Sequence, residues 1–418
     1  MLLTIAIILQ LFSQPQLGMY SRVKGSGYPF INSKGVVDTA VVKTQAKWDI
    51  VVLDPEPLTN FKPEVLSLLR KYNPKIFLEC YLTLWYWKNP YPSYGDTTNT
   101  LYWKIWQAVR NTRGQMYLKN GKEVNYVNMA DLNTVQAVAE STLNCTLNSG
   151  LWDGVFVDGT CNGFGIYRDG DTLDLARMGY DSEREFQAKW RIGIGYYAEL
   201  IREKVLFIVG NCGIGTEHEY FNGTMRENFP YQNIYWQCRN FECGWEDNIL
   251  GHHTNVEMSG YLADDTLYQY HQQNWINTLP AYGDSMSSEN RRIVRFGLGT
   301  ACLGNGIHTV GKDGDGKGYT PWWYPEYAVN LSTGIASSDP YYKNWLGYAI
   351  SKAYKVAPTV WRRDYRNGLV VVNYGSKQQI INFGKFYKRI RANAAGYDGR
   401  STQRVIIPSH DAIFLLNN

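Results

Sequence analysis

The sequence predicts an α/β fold: a (β/α)8 TIM barrel followed by a small antiparallel C-terminal β-domain. Three observations carry this reading. Between residues 18 and 310, short β-rich runs alternate with helical stretches in eight units over about 300 residues, the count and length of such a barrel. The runs are continuously apolar, which marks parallel strands covered on both faces. After about Thr359 the pattern changes to period two without intervening helices, which marks antiparallel strands. The expected units are an N-terminal apolar segment over 1–17, a barrel over 18–355 and a sandwich-like β-domain over 356–418.

Taken in order, Leu17 to Val23 is the first expected strand. Trp48 to Leu53 (WDIVVL) is the second, stopped by the breakers Pro55 and Pro57. A helix over Pro63 to Lys71, with proline at its start, leads to the third strand, Lys75 to Leu82. The gap from Leu82 to Trp152 is too long for one crossover. Two helices are expected there, Thr98 to Arg113 and Leu132 to Leu147, around a hairpin turning at Lys119-Asn120-Gly121. Trp152 to Val157 (WDGVFV) is the fourth strand. Val205 to Gly210 is the fifth, after the amphipathic run Ser182 to Glu203. Thr224 to Phe229, Thr254 to Met258 and Gly306 to Val310 are the candidates for strands six to eight. In the tail a hairpin turns at Arg366-Asn367-Gly368. An open doubly wound sheet is the competing arrangement, but no GxGxxG or P-loop pattern follows any strand, so its nucleotide-binding form loses support.

Composition narrows the function classes. Hydrophobic residues at 44% and charged residues at 19% exclude disorder, coiled coil and collagen. A net charge of +4 without basic runs does not point to nucleic acid as a partner. Aromatic residues at 15% suit a protein that stacks rings against sugars. Seven cysteines show no CxxC or zinc spacing; Cys238 and Cys243 are placed for a local bridge, and the odd total leaves at least one thiol unpaired. Met1 to Phe12 is apolar but shorter than a bilayer span, and its first basic residue is Arg22, so it reads as a packing segment rather than a secretory leader. No other stretch reads as a membrane span. No cofactor and no metal are expected: the Asp313-Gly-Asp-Gly run lacks the glutamate a calcium loop needs, with Tyr324 in its place, and adjacent His252 and His253 cannot face one metal.

In a parallel barrel the reactive groups belong at the C-terminal ends of the strands. Those positions are acidic: Asp54 and Glu56 after strand two, Glu79 on strand three, Asp158 after strand four, Glu227 on strand six and Glu257 on strand seven, with Asn211 ending strand five and His308 on strand eight. Asp158 follows an apolar strand and precedes Gly159, which lets backbone approach a ligand. Glu227 stands near Phe229, and apolar surroundings raise a carboxyl pKa toward what a general acid needs. Glycosidic cleavage needs two such groups, and strands four and six face each other across a barrel mouth. Asp54, Glu56, Glu79, Tyr81, Trp85, Asn211, Glu257 and Trp322 are the expected substrate-binding residues around the catalytic pair Asp158 and Glu227.

The runs WDIVVLDPE, WDGVFVDG, MRENFP and WWYPEYAVNL resemble those of hypothetical glycoside-hydrolase-like barrel families, distantly similar to α-galactosidase and endo-polygalactosaminidase type barrels. The stretch VWRRDYRNGLVVVNYG resembles the start of that family's C-terminal β-domain. The resemblance implies a nucleophile at Asp158 and an acid/base at Glu227. The expected function is glycoside hydrolysis of a polysaccharide or oligosaccharide by two carboxylates, outside the cell or on a virion. The rival is a catalytically silent sugar-binding or structural protein of a virion, tail fibre or extracellular filament. A homo-oligomer or larger assembly is compatible with either.

Overall fold

The computed structural model describes residues 13–21, 30, 36–53, 55, 63–84, 101–161, 163–168, 170–211, 220–229, 241–251, 260–263, 273–278, 287–310, 323–393 and 397–418. Eight parallel strands close into a barrel: β1 Gln16–Ser21, β2 Ile50–Leu53, β3 Phe77–Thr83, β4 Gly154–Asp158, β5 Phe207–Asn211, β6 Gly223–Phe229, β7 Trp275–Thr278 and β8 Ile307–Val310. Each pairs with the next in chain order, and β8 pairs with β1 to complete the ring. The crossover helices include α1 Thr39–Gln45, α2 Pro63–Tyr72, α3 Leu101–Asn111, α4 Leu132–Cys145, α5 Glu183–Arg202 and α6 Ser288–Leu303. The hairpin expected between α3 and α4 is present, pairing Met116–Tyr117 with Glu123–Val124.

Alternation along each strand feeds two cores. Tyr20, Val52, Phe77, Tyr81, Phe156, Val209, Met225 and Trp275 fill the barrel interior. Their neighbours Leu17, Val51, Leu78, Val155, Ile208 and Ile276 pack outward with the helices. Helix α5 shows the complementary period: Phe186, Trp190, Ile194, Tyr197, Ala198 and Ile201 are buried at three- and four-residue spacing.

A repeated side-chain clamp sets strand register at the opposite end from the mouth. The residue just before β2, β4, β6 or β7 accepts the N–H of a residue at the start of the preceding strand. Asp49 Oδ2 takes Leu17 N–H at 2.9 Å, and Asp153 Oδ2 takes Leu78 N–H at 2.8 Å. Asn222 Oδ1 takes Ile208 N–H at 2.9 Å, and Asn274 Oδ1 takes Thr224 N–H at 2.8 Å. The aspartate in each of the WD runs is therefore a structural clamp, a role that belongs to the N-terminal face of a barrel.

One strand assignment and one side-chain placement differ from the sequence reading. The seventh strand is Trp275–Thr278, not Thr254 to Met258, a stretch that lies outside the described residues. The run WINT is only four residues long and sits in a Gln- and Tyr-rich stretch, so no apolar run announces it. His308 is on β8 but faces away from the mouth. Its neighbour Ile307 takes the interior position, which leaves His308 bonded to Thr278 (3.0 Å) and Tyr327 (3.4 Å) among the helices. Burial pushes its imidazole down to about 3, so it stays neutral.

The C-terminal region is one six-stranded antiparallel sheet in the order β9–β10–β11–β14–β12–β13, formed by β9 Tyr354–Ala357, β10 Val360–Tyr365, β11 Gly368–Asn373, β12 Gln379–Arg389, β13 Ser401–Ile407 and β14 Asp411–Asn417. Helix α6 is squeezed between this sheet and the barrel. A Cβ on Gly297 would lie 1.8 Å from Thr278 Oγ1, and one on Gly299 would lie 2.4 Å from Ala412 Cβ. Glycine is required by the close approach on both sides of the helix, at about 1 kcal/mol of helix propensity each. Among the described residues, no helix is long and apolar enough to cross a membrane.

The junction carries a buried ion pair: Arg295 Nε and Nη2 reach Asp411 Oδ1 and Oδ2 at 3.0 and 2.6 Å. Arg295→Met leaves Asp411 buried and uncompensated, and urea unfolding should report a loss of about 3–5 kcal/mol. Beside it, burial pushes the carboxyl of Glu326 from 4.5 up to about 7, against the pull of Arg295. The folded chain therefore keeps this proton to higher pH than the unfolded chain. Unfolding releases it between those two values, so this group's contribution to stability falls as pH rises from 4.5 through about 7. Glu326→Gln should flatten that part of the stability curve, gaining about 3 kcal/mol above pH 8 relative to acid conditions. Urea midpoints measured across the pH range test this.

Candidate active site

Strand periodicity decides which side chains reach the mouth. Phe156, Val209 and Met225 point into the barrel, so the residues two further along β4, β5 and β6 point the same way, one layer higher. Those residues are Asp158, Asn211 and Glu227, and they meet. Asn211 Nδ2 donates to Asp158 Oδ1 at 3.1 Å and to Glu227 Oε1 at 3.1 Å. Carboxyl oxygens accept these bonds, so the amide nitrogen, rather than its oxygen, is the atom between them. Asn211 is buried, while Asp158 and Glu227 are both partly exposed.

The second oxygen of Asp158 is held from below. Tyr81, 1% exposed, points inward from β3 and its hydroxyl donates to Asp158 Oδ2 at 2.6 Å. The strand tips are stitched together, because Gly159 N–H and Thr160 N–H both donate to the Asn211 carbonyl at 2.9 and 3.2 Å. Gly159 has φ +87°, the left-handed turn that glycine takes without strain. The Tyr126 hydroxyl donates to its carbonyl. Burial first, and then the charge of Asp158, push the Tyr126 phenol upward, so it remains a donor. The Asp158 carboxyl is thus supported by two side-chain donors and a fixed backbone turn. Tyr81→Phe removes one of those donors. It should lower kcat about tenfold to a hundredfold with KM little changed, the value of a hydrogen bond to a charged group, as steady-state kinetics will read.

Residues 70–369 match the family described as hypothetical glycosyl hydrolase family 15. The chain belongs to this family. The family 15 match runs from α2 into β11 and so contains all three residues of the cluster. No curated protein matches the chain. Solved structures similar to it include an alpha-amylase from Lactobacillus plantarum (TM-score 0.52, 9% identity, covering 97% of this chain and 99% of that one). The isomaltulose synthase SmuA from Protaminobacter rubrum gives a TM-score of 0.52 at 11% identity, covering 98% and 99%. An isomaltulose synthase variant from Erwinia rhapontici NX5 gives 0.52 at 9%, also covering 98% and 99%. At these identities the likeness is one of fold: a barrel with a C-terminal sheet.

The other expected site residues of this family 15 chain divide into three groups. Tyr81 and Asn211 are in the cluster, but as partners of the carboxylates. Glu79 points inward as Tyr81 does, yet it is 0% exposed and lies a layer lower; burial holds its carboxyl well above the usual range. That placement offers no surface to a ligand and corrects the cleft role expected for it. Asp54, Glu56, Trp85, Glu257 and Trp322 lie outside the described residues.

One mouth residue escaped the sequence reading. Trp275 fills the interior from β7, so Asn277 also points inward, one layer up. It is 8% exposed, and its buried Oδ1 has no partner among the described residues. Recognising WINT as a strand was the signal that would have found it. At the same end of the barrel, where α4 and α5 begin, a hollow of about 520 Å³ is lined by residues including Tyr117, Asp131, Arg177, Tyr180 and Lys189. The Arg177 guanidinium stacks 3.5 Å over the Tyr117 ring. Among the described residues, no group of three His, Cys, Asp or Glu side chains is placed to hold a metal ion.

Proposed function

We propose that the protein is a retaining glycoside hydrolase acting on a polysaccharide, with Asp158 as nucleophile and Glu227 as acid/base. The observation that carries this reading is the single amide nitrogen shared by the two carboxylates. Oxygens lying along the two N–H directions of a planar amide at that distance are about 5.4 Å apart, and retaining enzymes hold their carboxyl groups at about 5–5.5 Å, against about 6.5–9.5 Å for inverting ones.

The chemistry follows from the donors. Asp158 takes one hydrogen bond on each oxygen, which orients it as a nucleophile needs. Glu227 protonates the glycosidic oxygen as Asp158 attacks the anomeric carbon; the leaving sugar departs and a glycosyl ester forms on Asp158. Glu227 then removes a proton from water, which attacks the same carbon and frees Asp158. The hollow lined by Tyr117 and Tyr180 gives a chain substrate further surface at the same end of the barrel. Cys161 and Cys243 are both disulfide-bonded, whereas Cys80, Cys145 and Cys302 are thiols. Disulfides persist in oxidising compartments, which supports work outside the cell.

The test is a reducing-sugar assay over a panel of neutral, acidic and amino-sugar polysaccharides. The wild type should release sugar from at least one polymer and the Asp158→Asn variant from none. Sugar binding by a wild type that releases nothing from any polymer would favour the silent barrel instead.

A further inference from the structure

A cavity of about 230 Å³ lies at the junction of α6 and the C-terminal sheet, and its lining shares no residue with the Asp158–Asn211–Glu227 cluster. Its polar side chains are Arg295, Arg389, Asp411, Glu326 and Tyr397. Two of the charges are already neutralised: Arg295 by Asp411 at 2.6 Å, and Arg389 by Asp398 at 3.1 Å. Glu326 has only a looser counterion: it is 2% exposed and lines the cavity, the nearest nitrogen of Arg295 stays 3.9 Å away, and its Oε1 has no hydrogen-bond partner among the described residues. The cavity therefore presents a buried acceptor that no described donor meets.

We propose that this cavity is a second carbohydrate-binding site that takes one neutral sugar ring. A hydroxyl both donates and accepts, so a sugar hydroxyl meets the orphan Glu326 Oε1 as a donor. An anion would face Glu326 and Asp411, and a cation would face Arg295 and Arg389; a neutral polyol faces neither conflict. Ile390, Ile406 and Phe414, with the Tyr397 ring, give the ring's C–H face an apolar wall. The cavity is smaller than drug-sized pockets and matches a single ring. Its binding chemistry is independent of hydrolysis. Its use, holding one part of a polymer while another part enters the mouth, rests on the function proposed above.

The experiment uses the full chain carrying Asp158→Asn, so that substrate is not consumed. Crystals are soaked with glucose, galactose or N-acetylgalactosamine, and affinity for the same sugars is measured by calorimetry. Two variants are compared. Ile406→Trp alters a residue that is 53% exposed and so leaves the fold intact while closing the cavity. Glu326→Gln, compared at pH 8, replaces an ionised acceptor with a weaker neutral one. The expected result is a sugar ring in the cavity for at least one probe, absent in Ile406→Trp, with affinity about tenfold weaker in Glu326→Gln. Ordered water alone in the cavity at saturating sugar, or unchanged affinity in both variants, overturns the proposal. Ring density in a protein that proves hydrolytically inert would leave the site standing and remove only its tethering role.

Discussion

Asp158→Asn and Glu227→Gln should both cripple the enzyme, but on different substrates. Asparagine cannot form the glycosyl ester, so every substrate should lose activity by about 10⁴-fold or more, some 5.5 kcal/mol of barrel-mouth chemistry. Glutamine at 227 cannot protonate a leaving oxygen. That loss is large, about 10²–10⁴-fold, for a natural sugar leaving group. It should shrink for an aryl glycoside whose leaving group departs as an anion. In that case the Glu227 variant makes the glycosyl ester normally and stalls at its hydrolysis, giving a burst of released aryl group followed by slow turnover. Rapid-mixing absorbance measurements separate the two. Equal loss on both substrate types for both variants would break the assignment of roles.

The second large effect is expected at a residue that performs no bond-making. Asn211 is the only side chain known to touch both carboxylates among the contacts of the described cluster, and its two N–H groups set their spacing. Asn211→Ala removes both bonds and leaves the two carboxyl groups without a shared donor to hold their spacing. By analogy with removing a preorganised donor elsewhere, kcat should fall about 10²–10³-fold with a smaller change in KM. Asn211→Asp should be worse, because it places a third carboxylate between two others. Melting temperature must be followed alongside, since the Asn211 carbonyl also receives the two β4-tip N–H groups. The backbone bonds survive either substitution, so the fold should hold while turnover drops. A variant as active as the wild type would mean that the cluster is not the reacting centre.

How much of this was legible beforehand follows from where each signal lives. Strands β2, β4 and β5 announce themselves because their residues are buried on both faces, so WDIVVL, WDGVFV and VLFIV read as apolar runs. Once the barrel is drawn, period two along β4 and β6 sends Asp158 and Glu227 to the same mouth. The part not legible was pairwise. Nothing in one dimension says that Tyr81 reaches a carboxylate on the next strand, or that Asn211 lies between two of them; both were expected to touch substrate. Glu79 misled because parity places it inward but does not give its depth, and depth separates a mouth residue from an interior one. Strand β7 failed for want of length: Trp275 and Ile276 are its apolar content, and Asn277 and Thr278 read as loop. The aspartates of the WD runs, to which the sequence reading gave no role, are at the far end of the strands from the mouth, holding register.

The most direct test is peptide mapping by mass spectrometry after incubation with a 2-deoxy-2-fluoro glycoside of the released sugar, which forms the ester quickly and hydrolyses it slowly. The account predicts one added fluoroglycosyl group on the peptide containing Asp158, lost in the Asp158→Asn variant. A label on any other residue, or an active enzyme that never acquires one and releases product of inverted configuration, would contradict it.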